Sequence, residues 1–468
     1  MRINSKKSNR LTGVAYAALT LTSQLMAQST GTHHIYKLVD SGTLGGPNTI
    51  FPGTTSLAGG HAVNKHGAFA GGSATTAPDA YKPCWLDCYL DHAIISQNGK
   101  ITDLGALSDG NSSAVFSLND KGMAVGTAQT GAKDALTGSP AYDAVVWVDG
   151  VMNDLGGFGG SFTQAIDVNN AGQVVGVSAT ATPDQYARPL GPRLNWAPVG
   201  SQQRAFLWEG TGLQDLGTLG GNDAAANLIN QQGQIVGVSY TNNTPNAATG
   251  IPTQDPFFWD RGKMTDVGTL GGNYGYGTAL NNKGQVVGQS NIAGDKLYHA
   301  FFWSGGVLTD IGTFGGPLSS AYALNENGQA VGFALLKDGQ TAHAFIYDSN
   351  AKSITDLGAS PAFANSVAYG INKHRQVVGI LSTAPNTTPN AALWENGGPA
   401  ADLNQLLDAP TTLHLVQPVA ITDSGEIVVV AITPAGAVHS VLMVPNGYCD
   451  AACEAALNTN AAAQKGGN

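Results

Sequence analysis

The chain has 468 residues, a formal charge of −10 and only 12% charged residues, with 62 glycines. So few charges and so many turn formers argue against a helical enzyme or a disordered chain, and for a turn-rich β protein. The acidic balance argues against nucleic acid and anionic membranes as partners, because both need a basic field.

The chain opens with Arg2, Lys6, Lys7 and Arg10 and no acid before Ala27. An Ala- and Leu-rich stretch follows, from Leu11 to Met26. This order reads as a secretory signal peptide over 1–27, cleaved near Ala27. The stretch is too short and too polar for a membrane span. Removing 1–27 takes away four basic residues and no acids, leaving a balance of −14. The expected location is secreted or periplasmic.

From residue 34 to 445 one phrase recurs. In one copy it reads His299-Ala300-Phe301-Phe302-Trp303, then Thr309-Asp310-Ile311-Gly312, then Ala323-Leu324-Asn325, and finally Ala330-Val331-Gly332. The Asp of the second phrase falls at Asp40, Asp103, Asp154, Asp215, Asp266, Asp310, Asp356 and Asp402. The shortest spacings, 44 and 46 residues, match one propeller blade. We label the four predicted strands A (His-Ala-Phe), B (Asp-Leu-Gly), C (Ala-Leu-Asn) and D (Val-Val-Gly). Each is short and rich in β-branched or aromatic residues. Asn281-Asn282-Lys283-Gly284 is a tight-turn sequence between C and D. His374-Arg375 stands where that turn elsewhere has Gly, so its hairpin is expected to be strained or differently shaped. The Gly of Val-Val-Gly marks a close backbone approach, expected between neighbouring blades.

The chain begins on a B strand with no A strand before it and ends on an A-like strand, Val438 to Val444. Pairing the two closes a ring and removes both free edges. The sequence therefore predicts an all-β, closed β-propeller of eight four-stranded blades, with blade one completed by the C-terminal strand. Seven blades is the alternative count. A short Cys-containing tail over 446–468 follows.

The phrases HAFFWSGGVLTDIGTFGG and ALNNKGQVVGQS resemble the HAF-family extracellular repeat of bacterial exported proteins. The resemblance implies an exported bacterial location and no particular activity. Two copies depart from it. Ser41 separates Asp40 from Gly42, and Asn404 replaces the Gly of Asp-Leu-Gly.

A carboxylate that recurs in every unit is structural, bonding backbone N–H groups in a turn, whereas a catalytic group is needed once. His92, His299, His343 and His439 share one repeat position in separate blades and are read the same way. The sequence holds no catalytic residues, metal site or cofactor motif that stands apart from the repeat. The four cysteines are expected to form local disulfides, Cys84–Cys88 and Cys449–Cys453, because the two pairs fall on opposite faces of the disk.

Long insertions at about 74–91, 128–142, 179–203 and 240–254 all fall between strands D and A. They crowd one face, and variable insertions in repeat proteins mark the binding face. Their aromatics and arginines are Tyr81, Trp85, Tyr89, Tyr186, Arg188, Arg193 and Trp196, residue types that dominate binding energy. The expected function is a monomeric binding or scaffold module for an unknown protein or glycan. The alternative is a propeller hydrolase or lyase acting on an extracellular polysaccharide or peptide.

Overall fold

The computed structural model describes residues 33–50, 61–79, 87–107, 112–188, 200–384 and 387–449. The predicted signal peptide, most of the tail, and Tyr81, Cys84, Trp85, Arg193, Trp196 and Cys453 lie outside the described residues. The described residues form 32 strands and one short 3-10 turn.

The strands build eight four-stranded antiparallel blades, each in the order C–D–A–B. Blade 3 is typical, with C at Ser113–Leu118, D at Ala124–Lys133, A at Pro140–Val148 and B at Val151–Asp154. Single parallel bridges, Tyr142 to Phe162 and Gln254 to Tyr274, link two pairs of neighbouring blades. C strands of successive blades touch one another, and the C strand of blade 3 is wholly buried. B strands such as Lys100–Asp103 are largely exposed. The C strands therefore ring the axis and the B strands form the rim.

Closure follows the predicted route. In blade 1, His414–Ile421, Ile427–Ile432 and Val438–Tyr448 are the C, D and A strands, and His34–Asp40 is the B strand. His34 pairs with Tyr448 and Asp40 with Val441. The sheet thus runs three residues past the expected limit at 445.

The core lies between blades. Trp147 of blade 3 is fully buried with Ala70, Ala93 and Leu104 of blade 2, and its Nε1 donates to the Leu104 carbonyl at 3.1 Å. The third position of the A phrase is Ile94, Val145, Phe206, Phe257, Phe301, Phe345, Ala392 or Val441, each with no exposure. Burying a side chain of Phe size contributes about 1.5–3 kcal/mol.

The D-strand glycine serves a different contact from the one expected. A Cβ at Gly176 would sit 1.9 Å from the Gln164 carbonyl oxygen of the C strand in the same blade. The close approach lies within the blade, beside a bulge between Ala165 and Asp167. At Gly72 the nearest atom is 3.7 Å away.

The repeated Asp holds its turn in all eight blades. Its Oδ1 accepts the N–H two residues on, at 2.6–2.9 Å. Both departing copies keep this bond, Asp40 from Gly42 and Asp402 from Asn404. The bond itself needs only a backbone N–H at that spacing, so it survives at Asn404, while the other seven positions are Gly with φ between 67° and 86°.

Candidate functional site on the D–A face

Antiparallel pairing places the D–A and B–C connections on one face and the A–B and C–D turns on the other. The four insertions are only partly loops. Ala74–Pro78, Ala128–Lys133 and Ala179–Pro183 prolong their D strands, and each prolonged hairpin has a register shift. β-branched and Ala-rich runs such as Ala179-Thr180-Ala181-Thr182 suit a pleated surface, which is why they extend the ladder.

Blades 4 and 5 bring several polar groups together on this face. Asp184 begins the connection of blade 4; its Oδ1 accepts the Tyr186 N–H at 2.7 Å and its Oδ2 accepts Asn222 Nδ2 at 2.5 Å. Gln203 opens the following A strand, and its Nε2 donates to the Arg188 carbonyl at 2.6 Å. The Gln203 N–H donates to Asp223 Oδ1 at 2.6 Å. The Tyr240 hydroxyl donates to the Tyr186 carbonyl at 3.1 Å. Beneath them lies an apolar cluster that includes Tyr142, Phe162, Val238 and Ile251.

Among the described residues, two acceptors in this group have no donor. Asp223 is fully buried and its Oδ2 has no partner, and Gln203 Oε1 is likewise buried without one. Burial pushes the Asp223 carboxyl up to about 7, and the Asp184 charge adds to this against the Gln203 N–H and Arg204. A buried polar atom without a bond costs about 1–3 kcal/mol, so these atoms mark a place where a donor belongs. Asp91, at the matching end of blade 2, is also fully buried, and among the described residues neither of its carboxylate oxygens has a partner. Burial, then Asp87 and Asp79, push it up to about 7.

Of the predicted ligand residues that are described, Tyr186 and Arg188 join this group. Tyr89 lies two blades away and starts the A strand of blade 2 opposite Pro78. Neither Cys88 nor Cys449 is a free thiol. Four repeat histidines pair with the repeat Asp through Nδ1 at 2.8–3.0 Å: His92 with Asp103, His299 with Asp310, His343 with Asp356 and His439 with Asp40. Arg204 and Asn390 take that position in blades 4 and 8. In blade 5 it is Asp255, whose carboxyl is pushed up to about 7 by burial and by the facing Asp266 carboxylate. Asp143 takes it in blade 3, where it and Asp154 line a pocket of about 630 Å³ with Asp134 and Ser161. Among the described residues no group of three or more His, Cys, Asp or Glu could hold a metal ion.

Sequence reasoning missed the axis. Tyr276, Tyr322 and Tyr369 lie on successive inner strands, and Tyr322 stacks on Tyr369 with ring centroids 5.5 Å apart. Burial raises all three hydroxyls, that of Tyr369 to about 12. The signal was available as a tyrosine in the C phrase of three consecutive copies.

No family model matches the chain, and no curated protein matches it. Solved structures similar to it include the β-propeller domain of the Trilobed protease from Pyrococcus furiosus, 8% identical with a TM-score of 0.40, over 80% of this chain and 100% of that one. TolB from Acinetobacter baumannii is 10% identical, with a TM-score of 0.32 over 70% of this chain and 81% of that one. Dipeptidyl peptidase 4 from Porphyromonas gingivalis is 9% identical, with a TM-score of 0.46 over 91% of this chain and 67% of that one.

Proposed function

We propose that this protein is an exported HAF-type repeat module that binds a protein or glycan partner through its D–A face. The observation that carries this reading is the buried pair of acceptors, Asp223 Oδ2 and Gln203 Oε1, beside Tyr186, Tyr240 and the chain at Arg188. A ligand rich in hydroxyl or amino groups supplies the missing donors, and the aromatics supply apolar contact. Local disulfides Cys84–Cys88 and Cys449–Cys453 fit the exported setting. No helix among the described residues is long and apolar enough to cross a membrane.

Glycan and peptide arrays probed with the purified protein identify the ligand. Arg188→Ala and Asp223→Asn are expected to weaken its binding at least tenfold, while Asn282→Ala on the opposite face leaves it unchanged. Loss of binding only in the opposite-face variant would place the site on the wrong side.

One observation favours a second reading as a hydrolase or lyase. Asp223 is fully buried on this face, and burial pushes its carboxyl up to about 7, the range that suits a general acid. Release of soluble fragments from the array ligand, abolished by Asp223→Asn, would support that reading over binding alone.

A further inference from the structure

The second site we infer lies on the opposite face, and it starts from a residue that the fold does not ask for. Seven C–D turns have Gly at the position where the chain turns left-handed: Gly67, Gly122, Gly172, Gly233, Gly284, Gly328 and Gly425, with φ between 69° and 86°. Blade 8 has Arg375 there, with φ 66°. The hairpin keeps the common shape, because the Arg375 N–H donates to the Asn372 carbonyl at 3.1 Å as Gly284 does to Asn281. The expectation of strain therefore holds and that of a different shape does not. At Gly67, Gly233 and Gly284 a Cβ would approach a Glu or Gln oxygen of the preceding blade to 2.8–3.0 Å. A side chain at this position costs backbone strain, and glycine satisfies the turn in every other copy.

What Arg375 gains is its place in a groove. A pocket of about 470 Å³ opens between blades 7 and 8, lined by Arg375, His374, Asn396, Trp394, Asp356 and Glu395 among others. Trp394 is buried, and its Nε1 donates across the groove to the Leu357 carbonyl of blade 7 at 3.1 Å. Both carboxylates of the groove are already engaged. Asp356 receives His343 and the Gly358 N–H. Glu395 accepts from the His34 N–H and Gln376 Nε2 and faces His34 Nδ1. Asp348 is near enough to feel the Arg375 charge, though Ala351, Gln329 and Asn350 hold its oxygens. Among the described residues Arg375 has no ion-pair partner, whereas the neighbouring Lys373 has Asp423 at 3.3 Å.

The matching groove between blades 1 and 2 serves as an internal control. It is lined by His66 and Gly67, in a turn reading Asn64-Lys65-His66-Gly67. Blade 8 reads Asn372-Lys373-His374-Arg375. The two turns differ only in their last residue. We infer that Arg375 and His374 form an oxyanion-binding site in the groove between blades 7 and 8, taking a carboxylate- or phosphate-bearing ligand. The planar guanidinium fork matches two oxygens of either group, and the imidazole adds a further donor.

The test uses the full chain and thermal melting, with sodium phosphate or sodium galacturonate added at constant ionic strength against sodium chloride. At least one anion is expected to raise the Tm of the natural protein; phosphate alone or galacturonate alone identifies which oxyanion fits. Arg375→Gly is expected to raise the ligand-free Tm by about 1–3 °C, because it relieves the left-handed strain. It is also expected to abolish the rise on adding anion. Arg375→Lys, which lacks the fork, should need several-fold more anion for the same rise. The inference is overturned if neither anion stabilises the natural protein, if Arg375→Gly keeps the full response, or if Arg375→Gly melts lower.

Discussion

At the scale of single residues, one side chain does two jobs in most blades. The Asn that ends each C phrase accepts from its own turn through Oδ1, as Asn281 does from the N–H groups of Lys283 and Gln285. Its Nδ2 reaches the next blade. Asn64 donates to the Asn119 carbonyl, Asn119 to Asn169, Asn169 to Asn230, Asn230 to Asn281, Asn281 to Asn325, Asn325 to Asn372 and Asn372 to Thr422, at 2.9–3.3 Å. The turn role was readable from Asn followed by Gly; the reach to the next blade was not, because nothing in a repeat states how copies meet. Asn281→Ala should cost about 2–4 kcal/mol, since it strips buried N–H and carbonyl groups of their partners. Asn282→Ala, at an exposed neighbour, should cost under about 0.5 kcal/mol. Urea denaturation measures both. The carboxyls pushed up to about 7 give a second prediction. A raised Asp binds its proton more tightly folded than unfolded, so its contribution falls as pH rises from about 4 to 7 and stays low above that. Asp91→Asn should therefore stabilise the protein by about 1–3 kcal/mol at pH 8 and by little at pH 4. An equal effect at both pH values would show that the Asp91 charge is not the cause.

At the scale of strands, the recurring phrases and turn residues were sufficient to give the blade count and to mark a B strand in each of eight copies, though not to place all four strands in every blade. The repeat Asp identified the B turn even where Ser41 and Asn404 break the wording, and its bond to the N–H two residues on is kept in both. Contact geometry was less legible. The D-strand glycine faces a carbonyl of its own blade, because the C strand bulges toward it at that point. Gly176→Ala would drive a Cβ into the Gln164 oxygen and the Phe206 ring and should cost about 3 kcal/mol or more. Gly72→Ala, with its nearest neighbour at 3.7 Å, should be near neutral. Comparable losses at the two positions would refute the bulge as the reason for glycine. The candidate site was half legible. Tyr186 and Arg188 stood out as residue types in a long insertion. Asp223 and Gln203 did not, because a buried acceptor without a donor is visible only once its surroundings are placed. Tyr276, Tyr322 and Tyr369 were hidden for a similar reason, since only the ring brings three distant C strands side by side.

At the scale of the whole molecule, the ring has one seam. Seven blade-to-blade asparagine links run from blade 2 round to blade 1, and Thr422 ends the series because its short hydroxyl turns to Ser424 and Glu426. What holds the ring shut is the sheet of blade 1, in which the strand from His34 to Asp40 pairs with the strand from Val438 to Tyr448. His439 on one strand and Asp40 on the other meet at 2.8 Å, and Phe69 of blade 2 packs on Val428 and Leu442 of blade 1. Closure removes both free edges of the array. The most direct test is hydrogen exchange followed by mass spectrometry on the full chain and on a chain ending at Ala437. In the full chain, residues 34–40 should be protected to the same degree as the inner strands. Removing the last strand should expose 34–40 and 427–432 to rapid exchange and promote self-association through the bared edges. Protection of 34–40 that survives the truncation, in a protein that stays monomeric, would contradict closure by the C-terminal strand.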